Sequence, residues 1–182
     1  MSRNISVLAL AAIFLSVIFN KAQAQDIHSL NIGSFHSPKG FGICLEKEYD
    51  FSTFDAITLI ADMHGVLTGE HPRPGVKMTF TRNIIFKHYD KDGYIIDLYA
   101  GPGVTAGYAR DIQKPYCLIA GLSGVLGGRF SFPTRLSVNI EVGSDIAIDI
   151  TRNERMGNIG ISLYKSGIYH IVFPQLRIQY SF

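Results

Sequence analysis

Ten ionisable side chains share one face of a period-two pattern: Glu46, Glu48, Asp62, His64, Lys77, Asp97, Arg129, Arg135, Glu141 and Arg177. Charges enclosed in a narrow space must pair, because removal from water costs more than an isolated ion can recover. The simplest joint chemistry for this set is therefore a network of ion pairs, and the sharper alternative is a gated or narrow polar pore. His64, two residues from Asp62, could titrate near neutral pH, although a hydrogen-bonded histidine is the plainer reading. Nucleophilic catalysis would need a serine within hydrogen-bond reach of a histidine and an acid. The candidates are His28-Ser29, His36-Ser37, and His170 near Ser166, and none sits in a recognisable motif. Cys44 and Cys117 lack metal-ligand spacing. Gly101-x-Gly103 precedes no helix and so is not a nucleotide loop, and His71-Pro72-Arg73-Pro74 reads as a rigid turn. Nothing here calls for a cofactor or a metal, and no residue is assigned as catalytic.

The first 24 residues stand apart from the elements that hold these side chains. Arg3 supplies a positive start, Ile5 to Phe19 an apolar run, and Ala22-Gln23-Ala24 a small-x-small cleavage site. That is the layout of a secretory signal peptide, so residues 1–24 are expected to leave and residues 25–182 to form one domain. Of the 17 Lys+Arg, Arg3 and Lys21 go with the leader, and the remaining 15 balance 15 Asp+Glu. A neutral chain without a concentrated basic face is no nucleic-acid binder. No second long apolar run provides a transmembrane helix. Export permits a disulfide, but Cys44 and Cys117 are expected inward on nearly opposite walls, as two free, buried thiols.

The rest alternates apolar and polar residues between turn signals, without helical periodicity. Eight strands are expected, over about residues 40–48, 55–67, 75–87, 94–108, 115–130, 135–149, 158–166 and 168–182. Asp92-Gly93 and Ser166-Gly167 are hairpin dipeptides. Residues 30–37 shift the alternation by one position relative to Phe41-Ile43-Leu45. They could be an extra strand; with a bulge at Ser37-Pro38 to reconcile the alternation, they are expected as the start of the first strand, or as a short plug. Most segments exceed the usual strand length and match the roughly 9–11 residues that cross a bilayer.

One face is lipid-compatible. Ile96, Leu98, Ala100, Val104 and Ala106 alternate with Asp97, Tyr99, Gly101, Gly103 and Thr105; Leu136, Val138, Ile140 and Val142 alternate with Arg135, Ser137, Asn139 and Glu141. Glycines gather on the polar face, where a narrow interior needs small residues. Tyr94, Tyr108, Tyr116 and Phe130 sit near segment ends on the apolar face, where interfacial girdles belong. The expected fold is an all-β, eight-stranded antiparallel up-and-down transmembrane barrel.

The strand count, the leader and the terminal aromatic resemble the small OmpA/OmpX-type outer-membrane barrels of Gram-negative bacteria. The resemblance covers residues 25–182 as a pattern. It implies that Tyr180 and Phe182 act as an assembly signal for the barrel assembly machinery, although Arg177 stands where the class favours glycine. It further implies a monomer in outer-membrane lipid with a structural, envelope or surface-contact role, and polar side chains closing the lumen. A lipid-modifying enzyme (lipid A deacylase-like) and a soluble, lipocalin-like binder are the alternatives. One departure is that the longer connections (69–74, 109–114, 151–157) would fall on the periplasmic side, against the class habit.

Overall fold

The computed structural model describes residues 29–67, 74–91, 93–111, 114–152, 159–164 and 174–182. Residues 1–28, with the expected leader and His28, residues 71–73 of the Pro-rich turn, Asp92, Ser166-Gly167 and His170 lie outside them. So do the side chains of His64, Tyr116 and Cys117. The elements are β1 (Leu30–Ser37), β2 (Gly40–Glu48), β3 (Thr53–Asp62), a one-turn helix α1 (His64–Leu67), β4 (Gly75–Lys91), β5 (Tyr94–Asp111), β6 (Lys114–Ser131), β7 (Leu136–Arg152), β8 (Ile159–Leu163) and β9 (Gln175–Ser181). Every pairing is antiparallel. Sequential neighbours pair from β1 to β7, β7 pairs with β9, and β9 returns to β1, which closes an eight-position barrel.

Both ends of the chain differ from the expected strands. Leu30–Ser37 is a strand in its own right. Pro38-Lys39 turns the chain, and Ser37 pairs with Gly40. Proline suits the first position of a tight turn, so the one-residue shift in alternation marks a reversal, not a bulge. At the other end, the described residues of β8 and β9 do not pair with each other. β8 pairs with residues 148–152 of β7, and β9 with residues 136–141. The two share the eighth position of the ring. These two changes move the longer connections, 63–74 and 153–158, to the end opposite the start of β1 and the finish of β9. The turns at 49–52, 92–93 and 132–135 lie at the end those two strands share.

β3 stops at Asp62, short of the expected 67. Asp62 pairs with Gly40 on one side and Gly75 on the other, and each partner is the first residue of its strand. Beyond them Met63 N donates to Lys39 O in the β1–β2 turn at 2.7 Å, and the described backbone then bonds to itself, Val66 N to Met63 O at 3.0 Å and Leu67 N to Met63 O at 2.9 Å. β4 carries a bulge between Ile85 and Lys87. Its signal is the unbroken apolar run Ile84-Ile85-Phe86, and its effect is to reverse the alternation beyond it.

The registers fix the barrel's dimensions. From Ser34, the row through Ile43, Leu59, Met78, Ala106 and Ala120 reaches Ile148 on β7. In the other direction, through Ile178, it reaches Val138. The two arrivals are ten residues apart. A stagger of ten residues at ~3.3 Å over eight strands ~4.7 Å apart gives a tilt of about 41° and a radius of about 8 Å. Each tilted residue then rises roughly 2.5 Å, so about ten residues cross a ~25 Å apolar band.

The core is polar and the surface apolar. Arg177 is 1% exposed and Glu46 0%, while Phe41, Ile43, Leu122 and Ile146 are 57, 58, 66 and 65% exposed. The same inversion runs along β5: Asp97, Tyr99 and Thr105 are buried, and Val104 is more than half exposed.

Candidate functional site: the ion-paired lumen

Strand alternation brings inward residues from β2, β4, β5, β6, β7 and β9 into one space. At its centre lies Arg177. Its Nη1 donates to Glu46 Oε1 at 2.5 Å, and its Nη2 donates to Glu141 Oε2 and to the Tyr99 hydroxyl, the latter at 3.4 Å. Tyr99 in turn donates to Glu141 Oε2 at 2.8 Å. Glu46 also accepts from Asn139 Nδ2 at 3.2 Å. Gln179 accepts from Asn139 and Ser137 at 3.2 and 3.4 Å, and donates to the Cys44 sulfur at 2.9 Å. Cys44 is buried and free. It lies on β2 and Cys117 on β6, four positions round the ring. A single guanidinium between two carboxylates uses the fork that a lysine lacks.

A second tier lies toward the end where β1 starts and β9 finishes. Arg129 reaches Glu48 at 2.6 Å, Asp97 at 3.4 Å and Glu46 at 3.7 Å, with its guanidinium 4.6 Å from the centre of the Phe54 ring. Glu48 accepts from Ser29 at 2.6 Å and Asn31 at 3.3 Å. His88 Nδ1 lies 2.6 Å from the other oxygen of Asp97. The β4 bulge makes this last contact possible by pairing His88 with Asp97. On the opposite side of Arg177, Lys77 of β4 pairs with Asp145 of β7. Between that pair and Arg177 is a cavity of about 40 Å³, bordered by Thr58, Thr79, Ser123 and Gln175. That volume suits about three waters and no organic solute.

Tyr99 fits because of a glycine. A Cβ on Gly127, its neighbour on β6, would come within 2.8 Å of the Tyr99 ring and hydroxyl and of Glu141 Cβ. Phe54 meets the same ring edge-on, with centroids 5.0 Å apart.

Of the charged residues expected inside, Glu46, Glu48, Lys77, Asp97, Arg129, Glu141 and Arg177 join these tiers. Asp62 is half-buried at the last rung of β3. Arg135 does not join: it is exposed in the β6–β7 turn with φ 61°, and this left-handed residue breaks the alternation there. Asp145 and Asp149 are buried lumen carboxylates outside the set expected from the sequence. They continue the two-residue period of β7 from Glu141. His88 was also missed, because its side depends on the bulge.

Of the serine–histidine candidates, His28, Ser166 and His170 lie outside the described residues, and His36 and Ser37 do not pair with each other. Ser29 is bound to Glu48, and Ser37 Oγ donates to Gly40 O at 3.3 Å. His36 contacts Ser34, not Ser37, at 3.0 Å on the outer face of β1. Its register partners are Phe41 and Leu176, so neither adjacent strand brings an acid to it.

Among the described residues no group of His, Cys, Asp and Glu forms a metal site, and no helix is long and apolar enough to cross a membrane. No family model matches the chain, and no curated protein does. Among solved structures it is similar to a major outer membrane protein from Thermus thermophilus, at 16% identity and a TM-score of 0.48, over 85% of this chain and 98% of that one.

Proposed function

We propose that this chain is an outer-membrane β-barrel whose role is structural, in the envelope or in surface contact, and whose lumen is closed by its own side chains. One observation carries the reading: burial is inverted, with arginine and glutamate inside and isoleucine, leucine and phenylalanine outside. In water such a surface would aggregate; in hydrocarbon it is the stable one, and a closed barrel leaves no backbone unpaired. A lipocalin-like binder needs the reverse arrangement and an apolar cavity. Eight strands leave room only for side chains, and the tiers around Arg129 and Arg177 cross that space, which supports a sealed lumen over a pore. In this reading residues 1–24 are a cleaved leader and the protein is monomeric. Tyr180 and Phe182, in edge-on contact at 5.2 Å on the outer face, form the signal read by the assembly machinery of a Gram-negative envelope.

The test is fractionation with gel mobility before and after boiling, followed by planar-bilayer recordings. Recovery in the outer-membrane fraction, a heat-dependent mobility shift and absence of stepwise conductance are expected. Recovery in the soluble periplasm would overturn the membrane assignment, and stable conductance would overturn the sealed lumen.

A further inference from the structure

Among the described residues the outer wall is largely apolar, and one sector of it is charged. Lys47 of β2, Asp55 of β3 and Arg82 of β4 occupy a single register row, on the outward face with Leu45, Ile57 and Phe80. Lys47 Nζ lies 5.2 Å from the centre of the Tyr49 ring, and the Arg82 guanidinium carbon 5.7 Å from it. Beyond the bulge, β4 turns Lys87, Tyr89 and Lys91 outward, with Lys87 Nζ 5.1 Å from the Tyr89 ring. Four cations and two tyrosines thus share a sector at the end where β1 starts and β9 finishes. Asp55 is the carboxylate among them. Its Oδ1 is 4.0 Å from Arg82 Nε, and the Arg82 side chain is 63% exposed. Asp50, in the adjacent turn, is held by Ser52 and Thr53. Asp90 lies on the other face of the hairpin.

The depth of this sector decides what it meets. Lys47 and Asp55 are within three residues of the β2–β3 turn, roughly 8 Å along the barrel axis at the tilt derived above. That is the boundary between acyl chains and headgroups, where long cationic side chains snorkel and tyrosines collect. Cations at this depth face the phosphates of the surrounding lipid, and an excess of positive charge selects lipids with net negative heads.

We infer that Lys47, Tyr49, Arg82 and Lys87 form a binding site for the phosphate of an anionic phospholipid in the leaflet at the turn-bearing end of the barrel. This rests on the membrane reading above. It adds a lipid preference and a place for it, which a barrel with a uniformly apolar belt would lack. The aromatic rings hold the cations at fixed positions against the wall, so the site is local and not a diffuse field.

The full chain, folded into phosphatidylcholine vesicles containing a minority of phosphatidylglycerol, is probed with spin-labelled lipids of both kinds. The preference of the protein-restricted lipid for phosphatidylglycerol is read by electron spin resonance. Arg82→Gln and Lys47→Gln should each lower that preference roughly fivefold. Arg82→Lys should retain most of it, and Arg135→Gln, removing an exposed cation in another turn at the same end, should leave it unchanged. Equal affinity of the wild type for both lipids, or an Arg135→Gln effect as large as that of Arg82→Gln, would overturn the site. Displacement by inorganic phosphate at constant ionic strength would make it a site for free anions and overturn the lipid assignment. Heat-dependent gel mobility of each sample separates the two readings: failure of the wild type to fold into vesicles overturns the membrane reading, whereas a folded barrel without lipid preference overturns only this inference.

Discussion

Arg177 and Glu46 are 131 positions apart in the chain and 2.5 Å apart in the barrel, with β1 between their strands. The contact ties the strand that completes the ring to the second strand, and through Glu141 it also holds β7. Removing the guanidinium leaves two buried carboxylates without their shared cation, a change that costs about 3–5 kcal/mol in comparable buried pairs. Arg177→Met is therefore expected to unfold at markedly lower denaturant than wild type. Arg177→Lys should recover only part of the loss, because an ammonium cannot fork to carboxylates on β2 and β7. Adding Glu46→Gln and Glu141→Gln to Arg177→Met should restore stability. Urea titrations followed by gel mobility in lipid vesicles would measure all three, and an Arg177→Met barrel as stable as wild type would remove the central tier from the account.

Gly127 sets a second limit. An added methyl group there must displace Tyr99 or Glu141, both of which approach within 2.8 Å. Gly127→Ala is expected to lose about 1–3 kcal/mol, the usual range for overpacking, and Gly127→Ala with Tyr99→Phe to lose less than the two changes summed. Gly128 is the control: on the outer face, its nearest potential contact is Leu98 at 3.4 Å, so Gly128→Ala should be close to neutral. The same titrations check it.

The faces of the strands were legible in the sequence because period-two alternation reports which way a side chain points. Residues 96–106 of β5 and 136–142 of β7 show it directly. Alternation does not report which strand lies alongside, and there expectation and structure diverge. The shift at Ser37-Pro38 is compatible with a bulge or a turn, and only pairing with Gly40 decides. The split of the eighth position into β8 and β9 is likewise a matter of partners. The membership of the lumen was legible through Glu46, Lys77, Asp97, Arg129, Glu141 and Arg177. Most of the pairs were not: Asp97 faces Arg129 directly on the neighbouring strand, but Arg129 also meets Glu48 of β2 and Arg177 meets Glu46 across β1, and a ten-residue stagger sets those meetings. Asp145 was within reach of the same periodicity. His88 was not, until the bulge in Ile84-Ile85-Phe86 had been located.

The lumen tiers predict how the barrel responds when they are removed one at a time. Lys77 and Asp145 lie on one side of the small cavity and Arg177 on the other, so Lys77→Ala with Asp145→Ala should enlarge the cavity without joining the two ends. Arg177→Ala with Arg129→Ala removes the cations of both remaining tiers. If that variant folds, it should be the one that conducts. Planar-bilayer recordings would show closed traces for the first variant and stepwise current for the second. Current through the first would mean that the Arg177 and Arg129 tiers do not seal.

The β2–β3 turn carries a pH dependence whose sign follows from its hydrogen bonds. Asp50 Oδ1 accepts from Ser52 N at 2.8 Å, Ser52 Oγ at 2.8 Å and Thr53 Oγ1 at 3.0 Å. These donors favour the ionised carboxylate and hold its pKa below the ordinary value, the Ser52 amide contributing most. A depressed folded-state pKa contributes stability that is complete above the unfolded value, about 3.9 for aspartate, and is lost as pH falls through the folded value. Asp50→Asn keeps an oxygen acceptor but has no titration. The stability difference between wild type and Asp50→Asn should therefore be constant at neutral pH and shrink below about pH 4. Denaturation midpoints of both proteins across that window would check it. A difference that grows on acidification would mean that the donors do not favour the charged form.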